Sequence, residues 1–294
     1  MRQLTNRYIF DQVLAYGKTI KFSHTIFALP FALSAAILAC RRHPISLSYL
    51  FWILIAMVGA RSSAMGFNRI ADAGFDAKNP RTSKRELPSG RLSLTSAKMF
   101  VILFSFIFIF AAAMLGKICL YLSFPVLALL FSYSYTKRFT SFSHFYLGFV
   151  ISLAPLGAWI ALTNTFSLPI ILLSLTLLTY IAGFDILYAC QDTGFDIKEE
   201  LFSIPARFGV QKALLISSVS HVFSFFFLFL IFIAFDMKII YLITVIVIGL
   251  LLIIEHKLVK PSDLSNVNIA FFHVNSAISI ILFVGILADE LVRQ

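Results

Sequence analysis

The sequence predicts an all-α, polytopic membrane protein built from two related halves. Three observations carry this prediction. Of the 294 residues 60% are hydrophobic and 13% charged, apolar runs long enough to cross a bilayer recur along the chain, and one acidic segment occurs twice. A soluble domain carries about 25% charged and about 45–50% apolar residues, so a soluble globular protein and a disordered chain are both excluded. In so apolar a chain the formal charge of +10 reflects loop bias at one membrane face rather than nucleic-acid binding. Cys40, Cys119 and Cys190 are odd in number and lie mostly in apolar runs, forming neither a disulfide framework nor a zinc spacing.

A spanning helix needs about 20 predominantly apolar residues. Charge-free runs cover residues 22–40, 43–60, 99–116, 118–136, 139–184, 213–235, 239–254 and 264–288. The fifth is too long for one crossing. At about 1.5 Å per residue it would reach about 69 Å against a hydrocarbon core of about 30 Å. It must turn, around Thr163, Asn164 and Thr165, which makes nine transmembrane helices in one domain over residues 1–294. With the N-terminus inside, eighteen of the 24 Lys and Arg fall on the cytoplasmic side. This sets the N-terminus in the cytoplasm and the C-terminus outside, in a bacterial inner membrane.

The repeated segment is Asp72-Ala73-Gly74-Phe75-Asp76-Ala77-Lys78, matched by Asp192-Thr193-Gly194-Phe195-Asp196-Ile197-Lys198. Each copy stands where an even-numbered span meets the cytoplasm, so the two halves bring their acids face to face. Carboxylates four residues apart share one face of a helix. Four converging carboxylates repel unless cations neutralise them. Hard oxygen ligands of this kind suit Mg²⁺, which is commonly held by a few carboxylates plus a substrate's phosphates. Nearby cations, among them Arg69, Lys78, Arg81 and Lys198, would meet the remaining phosphate charge. Solvated loop acids are the alternative, but the chain has only 14 acids, and four of them fall in two matched copies.

Helical geometry extends this site. Asn68 precedes Asp72 by four residues and Arg61 precedes it by eleven, about three turns, so all three share a face. An arginine inside a span is a functional candidate by default; the alternative for Arg61 is an ion pair with Asp185, the one acid inside the sixth span. Asp185 is seven residues before Asp192 and lies on its face. Tyr133 and Lys137 are four apart, beside Arg138, and place a hydroxyl and a cation on one face; an interfacial anchor is the competing reading. His24 stands at the start of the first span, and His273 and Asn275 lie in the last. His43 and His256 read as loop residues.

These residues resemble the UbiA superfamily of intramembrane prenyltransferases. Asn68, Asp72 and Asp76 look like its N-x-x-x-D-x-x-x-D motif, Asp192 and Asp196 like its D-x-x-x-D motif, and Tyr133-x-x-x-Lys137 like its Y-x-x-x-K element. Asp185-x-x-Tyr188-Ala189 is similar to the segment before the second motif. Asn79-Pro80-Arg81-Thr82 with Arg85, and Leu87-Pro88-Ser89-Gly90, are similar to the run after the first. The resemblance implies nine helices around a central cavity, capped by Asp-rich cytoplasmic segments at about residues 68–96 and 185–212. It further implies Mg²⁺ held by Asp72, Asp76, Asp192 and Asp196 with Asn68 assisting, and transfer of a polyprenyl group from its diphosphate to an aromatic acid.

Arg69 stands where quinone-pathway members commonly carry Asp. Around it the sequence looks more like the 4-hydroxybenzoate polyprenyltransferase-like branch, some members of which are linked to a dihydroxynaphthoate acceptor in menaquinone synthesis by the futalosine route. Either acceptor carries a carboxylate, for which Arg61 is the first candidate partner, followed by Lys137 and Arg138; Tyr188 and His24 are further candidates for touching substrate. A two-repeat secondary transporter is the reading from another class. It fits less well, because transporters gather polar residues near the bilayer midplane and here the matched acids lie at one face. The sequence carries no signal of oligomeric state.

Overall fold

Within hydrocarbon every backbone N–H and C=O must be satisfied internally, and long apolar helices do this. The structure, a computed structural model, describes residues 26–41 and 46–293. Its helices are α1 (Leu29–Ala39), α2 (Leu47–Ala71), α3 (Ala73–Lys78), α4 (Leu94–Leu115), α5 (Lys117–Thr136), α6 (Ser143–Thr163), α7 (Leu168–Ala189), α8 (Thr193–Lys198), α9 (Ile204–Phe208), α10 (Val210–Ala234), α11 (Ile239–Leu258) and α12 (Asn275–Arg293). Among the described residues eight segments are long and apolar enough to cross a membrane. The first expected span is present as the eleven-residue α1, and the start of its run, with His24, lies outside the described residues. The expected turn in the long run falls between α6 and α7, where Asn164 adopts a left-handed conformation with φ 52°, which Asn tolerates better than most residues.

The helix α7 is the axis of the bundle. Its membrane segment is 67% buried, against 17–44% for the other seven. It packs on α6 and α10, α2 packs on α4, and α12 packs on both α1 and α11, closing the ring between the chain's ends. Outward faces of α4, α10 and α11 expose Phe106, Phe110, Phe223, Phe226, Ile246 and Leu250, an apolar surface suited to lipid. At the end of the bundle away from the acidic repeats, Arg41 ion-pairs with Glu290 and donates to the carbonyl of Phe235. Nearby, Asp289 accepts from the backbone N–H groups of Lys238 at 2.8 Å and Tyr241 at 3.0 Å. This caps the otherwise unsatisfied start of α11 from a different helix.

Small residues let membrane helices approach closely. At Gly148 in α6, a Cβ would stand 2.3 Å from the carbonyl oxygen of Leu178 and 3.3 Å from the backbone nitrogen of Ala182 in α7. Neither backbone atom can rotate away. Gly148→Ala is therefore expected to separate α6 from α7 and to destabilise the protein by about 1–3 kcal/mol, the usual range for overpacking. Thermal unfolding of the detergent-solubilised protein checks this, and an unshifted transition would refute the close approach.

Candidate active site

Both acidic copies fold alike. Asp72 ends α2 and begins α3 with φ −95° and ψ 4°, while Asp192, after a short 3-10 turn from Cys190, begins α8 with φ −99° and ψ 4°. Each long helix thus breaks at its first motif acid and restarts as a six-residue helix carrying the second. The Asp76 N–H still donates to the Asp72 carbonyl at 2.8 Å, so the helical spacing survives the break. Together with the ends of α5 and α6 and the loop after α3, these segments enclose a cavity of ≈ 180 Å³. All four motif acids line it, as do Asn68, Arg69, Arg81, Tyr133, Lys137, Asp185 and Tyr188. Phe75 and Phe195, equivalent in the two copies, line it too.

Every acid has its own electrostatic surroundings. Asp72, buried, accepts from Asn68 Nδ2 at 3.0 Å, and Lys137 Nζ and Arg138 Nη2 each lie 3.7 Å from it. Burial pushes its carboxyl above the ordinary carboxylate value, against the pull of Lys137, Arg138 and the Asn68 hydrogen bond. Asp76 accepts from Arg85 Nη1 at 2.7 and 2.8 Å, with Arg69 Nη1 3.9 Å away. Asp192 accepts from Arg81 Nε at 2.9 Å and from Asn79 Nδ2 at 3.3 Å. Arg81 also donates to the Tyr188 hydroxyl at 3.1 Å and lies over that ring. Because Asn79 and Arg81 follow the first motif and Asp192 opens the second, these bonds tie the two halves together across the cavity. Lys78 and Glu199 form a further cross-half pair at 2.5 Å.

Several expected residues stand elsewhere. Arg61 is half-buried along α2 and is not part of the cavity lining, and Asp185 pairs not with it but with His144, whose Nδ1 lies 2.7 Å from Asp185 Oδ2. Lys78 and Lys198 are exposed and outside the lining. Arg138 also lies outside it, donating to the Ala71 carbonyl at 2.6 Å beside Asp72. His144, Ser134 and Ser203 line the cavity without having been singled out from sequence. For His144 a signal existed: an acid inside a span needs a partner, and His144 opens the helix that packs against α7.

The donor set suits a divalent cation held jointly with a substrate. Asp72 Oδ1 is buried and accepts no hydrogen bond, the kind of orphaned acceptor that a bound ion satisfies. Among the described residues no three His, Cys, Asp or Glu side chains meet closely enough to hold an ion by themselves. This agrees with the Mg²⁺ habit of taking one or two carboxylates and completing its shell with water and phosphate oxygens.

Residues 28–277 match the UbiA prenyltransferase family. A 4-hydroxybenzoate octaprenyltransferase of Francisella tularensis subsp. tularensis (strain WY96-3418) is 26% identical over 262 residues, covering 89% of this chain and 90% of that protein. For the protein of the same name from subsp. novicida (strain U112), 29% identity extends over 60% of this chain and 62% of the relative. The apo structure of a UbiA homolog from Aeropyrum pernix K1 superposes with a TM-score of 0.82 at 33% identity, over 90% of this chain and 98% of that one. A UbiA homolog from Archaeoglobus fulgidus bound to GPP and Mg²⁺ shares the fold, with a TM-score of 0.72 at 18% identity over 93% and 99% of the two chains. The match runs from α1 into the last helix and takes in both acidic copies, and the chain belongs to the UbiA prenyltransferase family.

Proposed function

We propose that this membrane enzyme transfers a polyprenyl group from polyprenyl diphosphate to 4-hydroxybenzoate in respiratory quinone biosynthesis. The observation that carries the reading is the pairing of two matched acidic motifs across one cavity whose rim is rich in arginine and lysine. Asp72, Asp76, Asp192 and Asp196, with Asn68, would hold Mg²⁺, and the metal would supply charge neutralisation of the leaving diphosphate. Arg81 and Arg69 lie among these acids and bind phosphate oxygens directly. Of the cations considered for the acceptor's carboxylate, Lys137 lines the cavity and is the better placed. Phe75, Phe195 and Tyr188 supply apolar walls that exclude water from an allylic cation. The cavity end faces the cytoplasm of a bacterial inner membrane, following the bias of Lys and Arg.

A second acceptor, a dihydroxynaphthoate in menaquinone synthesis, is favoured by one feature. Arg69 sits beside Asn68 where a carboxylate is common, and it is buried against the cavity. The test is a product assay with membranes, Mg²⁺, a polyprenyl diphosphate and both acids in parallel. Prenylated 4-hydroxybenzoate, lost on adding EDTA, is the expected result. Product from the naphthoate alone would reassign the acceptor, and product from neither acid would overturn the reading.

A further inference from the structure

We propose that His144 is a positioning residue that holds Asp185 so that its carboxylate receives the hydroxyl proton of the aromatic acceptor. This rests on the aromatic-acceptor reading above. His144 lies in the first turn of α6 and is 4% exposed. Its Nδ1 is 2.7 Å from Asp185 Oδ2, and its Nε2 accepts the backbone N–H of Ile204 at 3.4 Å. With Nε2 accepting from Ile204, Nδ1 is the nitrogen that donates to Asp185. The start of α9 thereby fixes the tautomer, and the histidine fixes the carboxylate. Asp185 Oδ2 is occupied in this way, while the side chain keeps 22% exposure and lines the cavity.

The location suits an acceptor. Asp185 lies on α7 and precedes Asp192 by seven residues, about 10 Å further along the axis and so deeper than the first acid of the second motif. Tyr188, one turn after Asp185 on α7, lines the same cavity and has its ring tilted against Phe271 at 4.1 Å between centroids, adding aromatic surface beside an acceptor ring held there. A hydroxyl donating to Asp185 pushes electron density into that ring and activates the carbon beside the oxygen. In the transfer, the bond between the prenyl C1 and oxygen breaks and its electrons leave with diphosphate. The ring carbon supplies the pair for the new carbon–carbon bond. That carbon then loses its proton to diphosphate or water, and the hydroxyl regains its own from Asp185.

Two variants separate donation from packing. His144→Phe fills the site without a donor, and His144→Gln supplies one. His144→Phe is expected to lower kcat/KM for the acceptor by about 10–100-fold, as loss of an orienting partner does at other sites, with KM for the prenyl diphosphate unchanged. His144→Gln is expected to recover most of that loss. Stabilisation of each variant against heating by Mg²⁺ and geranyl S-thiolodiphosphate is expected to match the wild type, which shows that the fold and the diphosphate site are intact. Wild-type acceptor kinetics in His144→Phe, or equal losses toward both substrates, would overturn this assignment alone. A wild-type protein that prenylates neither acid would overturn it together with the aromatic-acceptor reading.

Discussion

Asp72→Ala and Asp192→Ala are each expected to reduce prenyl transfer by about 10²–10⁴-fold. Metal assistance at a leaving phosphate is worth several kcal/mol, and each 1.36 kcal/mol is a factor of ten in rate. The two substitutions remove different support. Asp72 is buried among Asn68, Lys137 and Arg138, so its loss leaves two cations without their acid. Asp192 holds Arg81 and Asn79, so its loss also frees the link between the halves. Asp72→Asn separates charge from shape, because the amide keeps the volume and loses the negative charge. It is expected to be nearly as inactive as Asp72→Ala and to require more Mg²⁺ for its residual turnover. Asp263→Ala, at an exposed acid in the loop before the last helix, is expected to change the rate by less than about twofold, since surface substitutions are mostly neutral. Initial rates across a Mg²⁺ titration check all four, and wild-type turnover in either alanine variant would remove the metal role from that residue.

Much of the fold could be read from the chain because lipid imposes a simple rule: apolar runs become helices, and breaks in them become turns. The turn at Asn164 follows from local sequence, whereas the break at each motif acid does not show in a spacing that reads as one continuous helix face. Asp72, Asp76, Asp192 and Asp196 were legible because a repeat at matched positions is independent of tertiary detail. Arg61 was not, because helical arithmetic yields an angle and no depth. Eleven residues from Asp72 amounts to about 16 Å along the helix, and the right face at that depth does not reach the cavity. The partner of Asp185 was hidden for another reason, since His144 is uncharged by formal counting and sits inside a run that passed as apolar. The same counting ended the penultimate span at residue 254 and left His256 in a loop. In the structure α11 continues to Leu258 with Glu255 fully buried and His256 half-buried against His221.

That buried group leads to the largest expected loss of stability, in Asn275→Leu. Asn275 Nδ2 donates to Glu255 Oε1 at 2.8 Å and to the carbonyls of Ala270 and Phe271 at 3.0 and 3.2 Å. The Tyr180 hydroxyl in turn donates to its backbone carbonyl at 2.8 Å. Asn275 therefore joins α11, the π-helical turn Ile269–Val274 and the axial α7. A neutral hydrogen bond between membrane helices is worth only about 0.6 kcal/mol on average, and by that measure its loss would hardly register. Glu255 changes the magnitude, because a fully buried acid deprived of its donor incurs a desolvation cost of about 2–3 kcal/mol. His221 Nδ1, 3.5 Å away, would remain beside it. Asn275→Leu is thus expected to lower the unfolding temperature by about 4–12 °C, at about 2–4 °C per kcal/mol for a chain approaching this size. Glu255→Leu is expected to cost less, since Asn275 keeps its two backbone acceptors. When both partners of a buried polar pair become apolar the net effect is often close to neutral. The double variant is therefore expected to unfold nearer the wild type than Asn275→Leu does alone. Thermal scans at one fixed heating rate measure the coupling, and losses that simply add would show that Glu255 does not depend on Asn275.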